Sequence, residues 1–182
     1  GINLTSFQIS LLEKYRDQLD IWNRRYNLTA IHEPDKIRVK HFLDSFTPWL
    51  VMKDTHLARL IDIGTGAGFP GIPLKILLPD MEVVLVDSVR KKTEFCQHII
   101  DELDLKGIQV IHDRVERLAR KEEFRERFDW AIARAVARLS TLSEYTLPFV
   151  RIGGRVLAMK GDQGPSEAQQ ALNAISILGG EL

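Results

Sequence analysis

The feature of this sequence that most constrains its fold is a regular alternation, from residue 57 onward, between short apolar runs and longer stretches of helical periodicity. Short apolar runs are typical of buried strands, and the helical stretches between them supply the crossovers that parallel strands need. Because such crossovers are right-handed and connect neighbouring strands, the pattern predicts an α/β domain with a doubly wound sheet of five parallel strands. The predicted strands are residues 60–63, 83–86, 108–111, 130–133 and 155–159, and the predicted helices are residues 72–78, 91–103, 115–120 and 139–149.

Residues 1–56 carry helical patterns only. Large apolar residues recur every three or four positions from residue 6 to residue 26, which places one apolar stripe along a helix. The stripe consists of Phe7, Leu11, Tyr15, Leu19, Trp22 and Tyr26. A second amphipathic helix is predicted through residues 37–43, starting at Pro34 and stopped by Pro48. These helices are too short for a core of their own, so we expect residues 1–56 to form a helical extension packed on a domain of residues 57–182.

The last residues of the sequence bear on how many strands the sheet contains. Residues 179–182, Gly-Gly-Glu-Leu, directly follow one more helical stretch. We therefore expect a last pair of strands to be missing from the sheet that these residues build.

Composition narrows the classes of partner and compartment. The 25 basic and 25 acidic residues sum to a formal net charge of zero, so a nucleic acid has to be bound by local patches of charge. Cys96 is the one cysteine, which excludes a disulfide within the chain, favours a reducing compartment and fits a core position. No apolar run approaches the roughly 18 residues of a membrane span, and no signal-peptide pattern opens the chain, so we expect a cytoplasmic protein. We take it to be a monomer, although no feature of the sequence indicates its oligomeric state.

The histidines give no reason to expect a metal. They are His32, His41, His56, His98 and His112. Their positions do not follow the spacing of metal ligands, so we assign no metal site.

A glycine-rich segment follows the first predicted strand and opens the next helix. It comprises residues 62–71, Asp-Ile-Gly-Thr-Gly-Ala-Gly-Phe-Pro-Gly. Glycines permit positive φ and let the backbone approach a ligand closely. The start of the following helix offers unpaired N–H groups and a partial positive charge, which favour a carboxylate or a phosphate. The segment therefore predicts a ligand-binding turn.

Two registers of this turn compete. One is the G-x-G-x-x-G pattern of dinucleotide sites, formed by Gly66, Gly68 and Gly71, with Asp87 about 20 residues further on for a ribose. The other is the acidic-x-G-x-G-x-G pattern of methyltransferases that use S-adenosylmethionine, formed by Asp62, Gly64, Gly66 and Gly68. Pro70 has no N–H to offer a pyrophosphate, and Pro73 leaves the start of the helix poorer still in donors, which favours the methyltransferase register.

Residues after the second and third strands complete the predicted site. Asp87 ends the second strand, where its carboxylate can accept both ribose hydroxyls of a cofactor; the alternative is that Asp87 and Ser88 cap the next helix. Val115 and Glu116 follow the third strand, where an adenine can lie against the valine. Glu116 is equally well interpreted as an acidic residue in the first turn of a helix.

Arg134 is the candidate catalytic residue. It ends the fourth strand within an otherwise apolar run, and a charge facing a cleft at such a position is seldom purely structural. Our hypothesis is that Arg134 positions the substrate or the cofactor. The alternative is a surface arginine paired with Asp129 or Glu144.

Positive charge that could bind RNA phosphates gathers within a short stretch of the N-terminal extension. Its members are Arg24, Arg25, Lys36, Arg38, Lys40 and His41, with Glu33 and Asp35 as the opposing charges. Phosphate contacts of this kind increase binding affinity but do not distinguish one nucleotide sequence from another. They predict binding that depends on salt concentration. Lys160, at the end of the fifth strand, is a weaker candidate. For any single member a solvated surface is the alternative, and for His41 a capping or buried polar role.

Several segments together resemble the ribosomal RNA small subunit methyltransferase G family over nearly the whole chain. They are Asn27-Leu28-Thr29-Ala30, Lys40-His41 with Asp44-Ser45, the glycine segment extended to residue 76, Asp87-Ser88, Arg114-Val115-Glu116 and Ala133-Arg134-Ala135. The stretch Phe69-Pro70-Gly71-Ile72-Pro73 is more specific than the glycines alone. The resemblance implies a Rossmann-like class I methyltransferase sheet, S-adenosylmethionine as methyl donor, and 16S ribosomal RNA or the small ribosomal subunit as partner, methylated at N7 of one guanine.

The resemblance also implies roles for individual residues. Gly64 and Phe69 contact the cofactor, Val115 and Glu116 bind its adenosine side, and Arg134 approaches it from the fourth strand. We add Asn27 to the RNA candidates. We expect two departures from the family: Ala133 stands where relatives often have serine, and the C-terminal strands of such proteins should be missing from these residues.

Methylation of guanine N7 suits a site without a catalytic dyad. The nitrogen carries a free lone pair at neutral pH, so positioning rather than a general base is expected to supply the rate. Phe69 is an aromatic side chain available for stacking on the target base. The alternatives are a methyltransferase for another RNA or a small molecule, a nicotinamide-dinucleotide protein, and a binding module without turnover.

Overall fold

A computed structural model describes residues 2–31, 33–53 and 58–182. The helical extension contains α1 (Ser6–Tyr26), α2 (Pro34–Ile37), a π-helical segment (Arg38–Leu43), α3 (Asp44–Phe46) and α4 (Trp49–Met52). The sheet domain contains β1 (Arg59–Ile63), α5 (Gly71–Leu77), β2 (Glu82–Asp87), α6 (Arg90–Glu102), β3 (Ile108–His112), α7 (Val115–Leu118), β4 (Phe128–Arg134), α8 (Leu139–Thr146), a 3₁₀ turn (Leu147–Phe149), β5 (Val150–Met159) and α9 (Gly164–Ile177). None of the helices in these described ranges is long and apolar enough to cross a membrane.

The sheet has five parallel strands in the order β3-β2-β1-β4-β5. Asp62 of β1 lies between Leu85 of β2 and Ile132 of β4 in the register. The strand order reverses between β1 and β4, and the crevice outside the carboxyl ends of strands at such a point is where α/β sheets bind ligands. The predicted doubly wound α/β class is confirmed.

Two apolar cores, one on each face of the sheet, follow from the alternation of side chains along buried strands. Leu60 and Leu85 point into the core formed with α1, α5 and α6, whereas Ile61 and Val86 point into the core formed with α7, α8 and α9. Cys96 is fully buried in the first core, which confirms its predicted core position.

The N-terminal extension shares the core of the sheet. Its first helix starts with a capping box between Thr5 and Gln8, and it ends at Asn27, which adopts the left-handed conformation with φ of 48°. Tyr15 and Leu19 of α1 are fully buried in the same core as strands β1 and β2. The predicted boundary between residues 56 and 57 lies outside the described residues.

The predicted start of the fifth strand is wrong. The strand begins at Val150 rather than at residue 155, because Gly153 adopts a φ of 76° within an irregularity of the β4–β5 pairing and the strand continues through it. The second helical stretch ends before Pro48, as predicted, since α3 ends at Phe46; Pro48 itself adopts helical angles and precedes a separate helix, α4. Proline suits the first turn of a helix because its missing N–H has no partner there.

Candidate functional site

The glycine turn is organised from below by Asp62, near the end of β1. Its Oδ2 accepts hydrogen bonds from Thr65 Oγ1 at 2.7 Å and from Gly71 N at 2.9 Å. Burial raises the pKa of this fully buried carboxyl to about 6, against the lowering effect of those two bonds. Its Oδ1 is buried and has no hydrogen-bond partner among the described residues. Asp62 therefore ties the two ends of the turn together and keeps one acceptor unused.

Two glycines of the turn allow close contacts that any side chain would prevent. A Cβ on Gly68, which has a φ of 91°, would lie 2.7 Å from the Tyr15 hydroxyl oxygen. A Cβ on Gly64, which has a φ of 67°, would lie 2.7 Å from Cγ2 of Val136 in the loop after β4. Positive φ and the lack of space together explain why glycine occupies these positions.

The backbone N–H groups of the turn are largely used within the protein, which corrects the prediction of unpaired donors at the start of the helix. Gly64 and Thr65 both donate to the Val86 carbonyl. Gly71, the first residue of α5, donates to Asp62, and Ile72 donates to the Gly68 carbonyl. A pyrophosphate needs an array of free N–H groups, so this turn is better suited to a ligand that requires few of them.

A cavity of about 170 Å³ opens at the carboxyl ends of β1, β2 and β3. We call it the β1–β3 cavity; its lining is Ile63, Gly64, Val86, Asp87, Ser88, Asp113, Arg114, Val115, Glu116, Val136 and Tyr145. Five residues predicted for the cofactor line it, namely Gly64, Asp87, Ser88, Val115 and Glu116. Three lining residues were not predicted from the sequence. Asp113 was missed although it follows β3, much as Asp87 ends β2. Val136 and Tyr145 belong to no motif.

Asp87 is 6% exposed at the mouth of this cavity. Its Oδ2 accepts the Gly66 N–H at 2.9 Å and its Oδ1 accepts the Val89 N–H at 2.8 Å, while the Lys92 ammonium lies 3.9 Å from Oδ2. Both sequence interpretations therefore apply, because the carboxylate supports the turn before α6 and each oxygen keeps acceptor capacity for a ligand.

Val115 and Glu116 begin α7 beside Asp87. Val115 is half-buried and Glu116 is exposed. The valine can offer an apolar face to a flat ring, and the carboxylate stands free at the rim. Glu116 also occupies the first turn of α7, so its two interpretations remain open.

Arg134 lies at the carboxyl end of β4 and turns toward the helical extension. Its NH1 donates to Asp44 Oδ2 at 2.7 Å and to the Lys40 carbonyl at 3.2 Å, and its NH2 lies 3.4 Å from His41 Nδ1. Its guanidinium carbon lies 5.5 Å from the centre of the Phe69 ring. We call Arg134, His41, Asp44 and Phe69 the β4 joint. The predicted alternative, a pair with Asp129 or Glu144, is wrong, since Arg134 pairs with Asp44 and Asp129 pairs with Arg151 at 2.7 Å.

Phe69 is not available for stacking on a base, which corrects that suggestion. It is 5% exposed, and its ring lies nearly parallel to Tyr15 and to His41, with ring centres 5.2 Å and 4.5 Å away. The two residues that cover it come from the helical extension, so the sequence around Phe69 carries no sign of them.

His41 is a buried polar member of the joint. It is 9% exposed, its Nε2 lies 2.9 Å from Thr29 Oγ1, and burial together with the Arg134 charge lowers its pKa from 6.5 to about 4. The ring is therefore neutral at physiological pH, which allows Nδ1 to accept from Arg134 and Nε2 to donate to Thr29.

The other RNA candidates differ in whether their side chains already bind other groups of the protein. Lys40 and Asn27 are exposed. Arg24 pairs with Asp20 at 2.6 Å on the surface, and the Arg25 guanidinium carbon lies 5.1 Å from the centre of the Tyr26 ring. Lys160 is engaged, because it pairs with Glu167 at 2.7 Å and donates to the Ala137 carbonyl.

No metal-binding group of three or more His, Cys, Asp or Glu side chains occurs within residues 2–31, 33–53 and 58–182. His32 and His56 lie outside the described residues. Cys96 donates to the Gly66 carbonyl at 3.4 Å, and burial raises the pKa of its thiol well above 9.0. The thiol therefore stays protonated against the back of the glycine turn.

Solved structures of methyltransferases share this fold. A SAM-dependent methyltransferase from Aquifex aeolicus superimposes with a TM-score of 0.55 at 18% identity, over 81% of this chain and 88% of that one. At this identity the likeness concerns the fold alone.

Sequence relatives identify the family. The family model for rRNA small subunit methyltransferase G matches residues 8–182. The ribosomal RNA small subunit methyltransferase G of Leuconostoc mesenteroides is 46% identical over 186 residues, covering 100% of this chain and 77% of the relative. That of Acetivibrio thermocellus is 47% identical over 182 residues, covering 100% of this chain and 74% of the relative. The chain with this β1–β3 cavity and β4 joint belongs to the rRNA small subunit methyltransferase G family.

Proposed function

We propose that this protein transfers a methyl group from S-adenosylmethionine to N7 of a guanine in 16S ribosomal RNA. The observation that carries the proposal is the β1–β3 cavity, in which a glycine turn and the Asp87 carboxylate meet beside the point where the strand order reverses. The family resemblance supplies the methylated atom. Bound at this cavity, the cofactor supplies an electrophilic methyl group on a sulfonium.

The described residues fit the adenosine part of such a cofactor. Asp87 offers acceptor capacity on both oxygens for ribose hydroxyls. Val115 offers an apolar surface for the adenine, and Glu116 at the rim can accept from its exocyclic amine. Gly64 lines the cavity without a side chain, because Val136, which also lines it, occupies the place where a Cβ would lie.

The amino-acid end of the cofactor fits the region between the glycine turn and β4. Asp62 has a buried Oδ1 without a hydrogen-bond donor, and an unsatisfied acceptor of this kind costs about 1–3 kcal/mol. The ammonium of a methionine tail, directly or through a water, is the donor that this oxygen lacks. The guanidinium of Arg134, 17% exposed, supplies positive charge for the carboxylate and retains N–H groups that the joint does not use.

The chemistry requires orientation rather than proton removal. Guanine N7 needs no base, so the side chains have to bind the nucleobase close to the methyl group and exclude alternative poses. Such alignment lowers the barrier by about 7–11 kcal/mol in model reactions. A rigid turn braced by Asp62 and Asp87 is suited to that task.

Positive charge lies where an RNA backbone would pass this site. Lys91 of α6 donates to the Tyr26 carbonyl at 2.8 Å, which brings it next to Arg25 at the end of α1. Lys92, one residue further, lies within 3.9 Å of Asp87. The Lys40 carbonyl contacts Arg134, and its side chain is exposed. These groups link the extension to the rim of the cavity, and we place the RNA across them. The partner is ribosomal RNA or the small subunit, and we propose that the protein acts on it in the cytoplasm as a monomer.

Calorimetry with S-adenosylhomocysteine and with NAD tests the cofactor assignment. We expect micromolar binding of S-adenosylhomocysteine and no measurable binding of NAD, because the turn has few free N–H groups for a pyrophosphate. Binding of NAD alone would reverse the assignment.

Mass analysis of 16S ribosomal RNA after incubation with the protein and methyl-labelled cofactor tests the substrate. We expect one 7-methylguanosine per molecule in RNA from a strain that lacks this modification. Cofactor binding without RNA labelling would leave a methyltransferase for another substrate or a binding module.

A further inference from the structure

We propose that Tyr15 of α1 is a positioning residue for the cofactor-binding turn. Its hydroxyl donates a hydrogen bond to the Ala67 carbonyl, 52 residues away in sequence and in the middle of the glycine segment. Its ring lies parallel to that of Phe69, with ring centres 5.2 Å apart. This inference rests on the proposed cofactor site and assigns part of that site to the helical extension.

The contact is buried and closely fitted. Tyr15 has no exposed surface, and Ala67 is 5% exposed, so water cannot replace the hydroxyl as a donor. A buried carbonyl without a donor is unfavourable, so the turn prefers the conformation that keeps this bond. Gly68 is glycine in part because a Cβ there would lie 2.7 Å from the same hydroxyl oxygen.

The bond also controls which groups of the turn face the ligand. The carbonyls of Ala67 and Gly66 are drawn to the helix side, by Tyr15 and by Cys96 respectively. An anionic carboxylate would be repelled by carbonyl oxygens that faced it. Since burial raises the pKa of Tyr15 well above 10.0, the hydroxyl remains a donor at every pH at which the enzyme is assayed.

A second contact joins α1 to α5, the helix that follows the turn. Gln8 Nε2 donates to the carbonyls of Ile76 at 2.9 Å and Leu77 at 3.2 Å, at the end of α5. Helix α1 therefore contacts the glycine turn before α5 through Tyr15, and it contacts the last turn of α5 through Gln8. The position of α1 is thus tied to the turn by Tyr15 and to the far end of α5 by Gln8.

The variant Tyr15→Phe tests the proposal, because it removes the hydroxyl and keeps the ring against Phe69. We expect the Kd for S-adenosylhomocysteine and the KM for S-adenosylmethionine to rise about 3–10-fold, as one buried hydrogen bond predicts. The KM for ribosomal RNA should stay within twofold of wild type. A split of this kind does not arise from lower stability alone.

Thr146→Val is the matched control. It also removes a buried hydroxyl, one that donates to the Leu142 carbonyl at 2.8 Å in α8, on the opposite face of the sheet. We expect a similar fall in Tm and an unchanged Kd. Equal weakening in both variants, or a Tyr15→Phe Kd within twofold of wild type, would overturn the proposal. Absence of S-adenosylhomocysteine binding to the wild-type protein would instead refute the proposed function.

Hydrogen exchange of the wild-type protein gives a test that does not depend on the variant folding. If α1 positions the turn, bound S-adenosylhomocysteine must stabilise α1 in return, because coupling between sites is reciprocal. We expect amides of residues 12–19 to exchange at least threefold more slowly with the ligand. Protection confined to residues that line the cavity would contradict the inference.

Discussion

The β1–β3 cavity and the β4 joint lie side by side at the carboxyl end of the sheet and differ in how far their polar groups are satisfied. In the cavity, Asp87 and Glu116 keep acceptor capacity that no protein group uses. In the joint, Arg134 donates to Asp44 and to the Lys40 carbonyl, and His41 is packed on Phe69. Unused polar capacity in a cavity favours the binding of a ligand, whereas a cluster whose polar groups bond mainly to one another is a connection between elements.

The motif residues of one family therefore serve two purposes. Gly64, Asp87 and Val115 line the space for a ligand, whereas His41 and Phe69 join the extension to the sheet. Arg134 belongs to the joint by its contacts, and it lies two residues before Val136, which lines the cavity. Substitutions in the cavity and in the joint should therefore have different effects.

The largest effect is expected for Asp87→Ala in the cavity. The change removes the acceptor for the ribose and the support for the Gly66 and Val89 N–H groups. Each hydrogen bond to a charged group contributes about 1.5–3 kcal/mol, so we expect the affinity for S-adenosylhomocysteine to fall by about 100-fold or more, measured by calorimetry. Asp101→Ala, an exposed carboxylate on α6, is the control and should bind as wild type. A loss below about fivefold would argue that the ribose lies elsewhere.

In the joint, Arg134→Ala and Asp44→Ala should differ. If Arg134 also contacts the cofactor carboxylate, its loss lowers kcat/KM by about 10–100-fold, the effect of one charge-assisted bond. Asp44→Ala removes only the 2.7 Å pair, and its carboxylate is 44% exposed, so we expect a fall of about threefold. Methyl-transfer assays measure kcat/KM for both variants. Equal losses would confine Arg134 to the joint, and a wild-type rate with wild-type affinities in Arg134→Ala would remove it from the site.

The Asp62 carboxyl should make cofactor affinity depend on pH. Its pKa is raised to about 6, so it becomes protonated below that pH and can no longer attract an ammonium. We expect the affinity for S-adenosylhomocysteine to fall by up to about tenfold per pH unit below pH 6. Titration calorimetry from pH 7.5 to pH 5 measures this. Asp62→Asn keeps an acceptor for Thr65 and Gly71 and should bind weakly but without that slope; the same slope in both proteins would assign it to another group.

The joint should respond to pH through His41, with an effect on stability. Its folded-state pKa of about 4 lies below the ordinary 6.5, so the unfolded chain takes up a proton first. The contribution of neutral His41 to the free energy of unfolding is complete above pH 6.5. It is lost as the pH falls toward 4, by at most about 1.4 kcal/mol per pH unit. Urea unfolding at each pH compares wild type with His41→Gln, in which the loss should be absent. Asp62 acts with the opposite sign below pH 6 in both proteins, so only their difference is informative; parallel curves would contradict the assignment.

The smallest effect is expected for RNA binding at the edge of the joint. Lys40 is exposed, whereas Lys160 pairs with Glu167 and supports the loop after β4. Lys40→Gln should weaken RNA binding by about threefold at moderate salt and reduce the slope of log affinity against log salt by about one. Filter binding over a salt series measures both quantities. Lys160→Gln should leave that slope unchanged, and a larger change than in Lys40→Gln would reverse the two roles.

Much of the cavity could be predicted because its residues follow strands that the apolar pattern reveals. Asp87 and Val115 stand at strand ends, and the glycines mark the turn. The joint could not be predicted in this way. His41 and Asp44 are separated from Arg134 by about 90 residues, and only the packing of the extension on the sheet brings them together. Tyr15 illustrates the limit, since its place in an apolar stripe gives no sign that its hydroxyl reaches the glycine turn.

Periodicity, glycine and polar residues at strand ends are local signals, and they were sufficient to predict the main elements, the parallel sheet and the position of the glycine turn. Packing between distant elements settles which of these polar groups remain unused. That outcome depends on partners distant in sequence: the N–H groups of the turn are taken by Val86 and Asp62, Phe69 is covered by α1, and Arg134 is engaged by Asp44. A hydrogen bond satisfied by a remote partner leaves no mark in the local sequence, and for this reason the split between cavity and joint appears only in the folded chain.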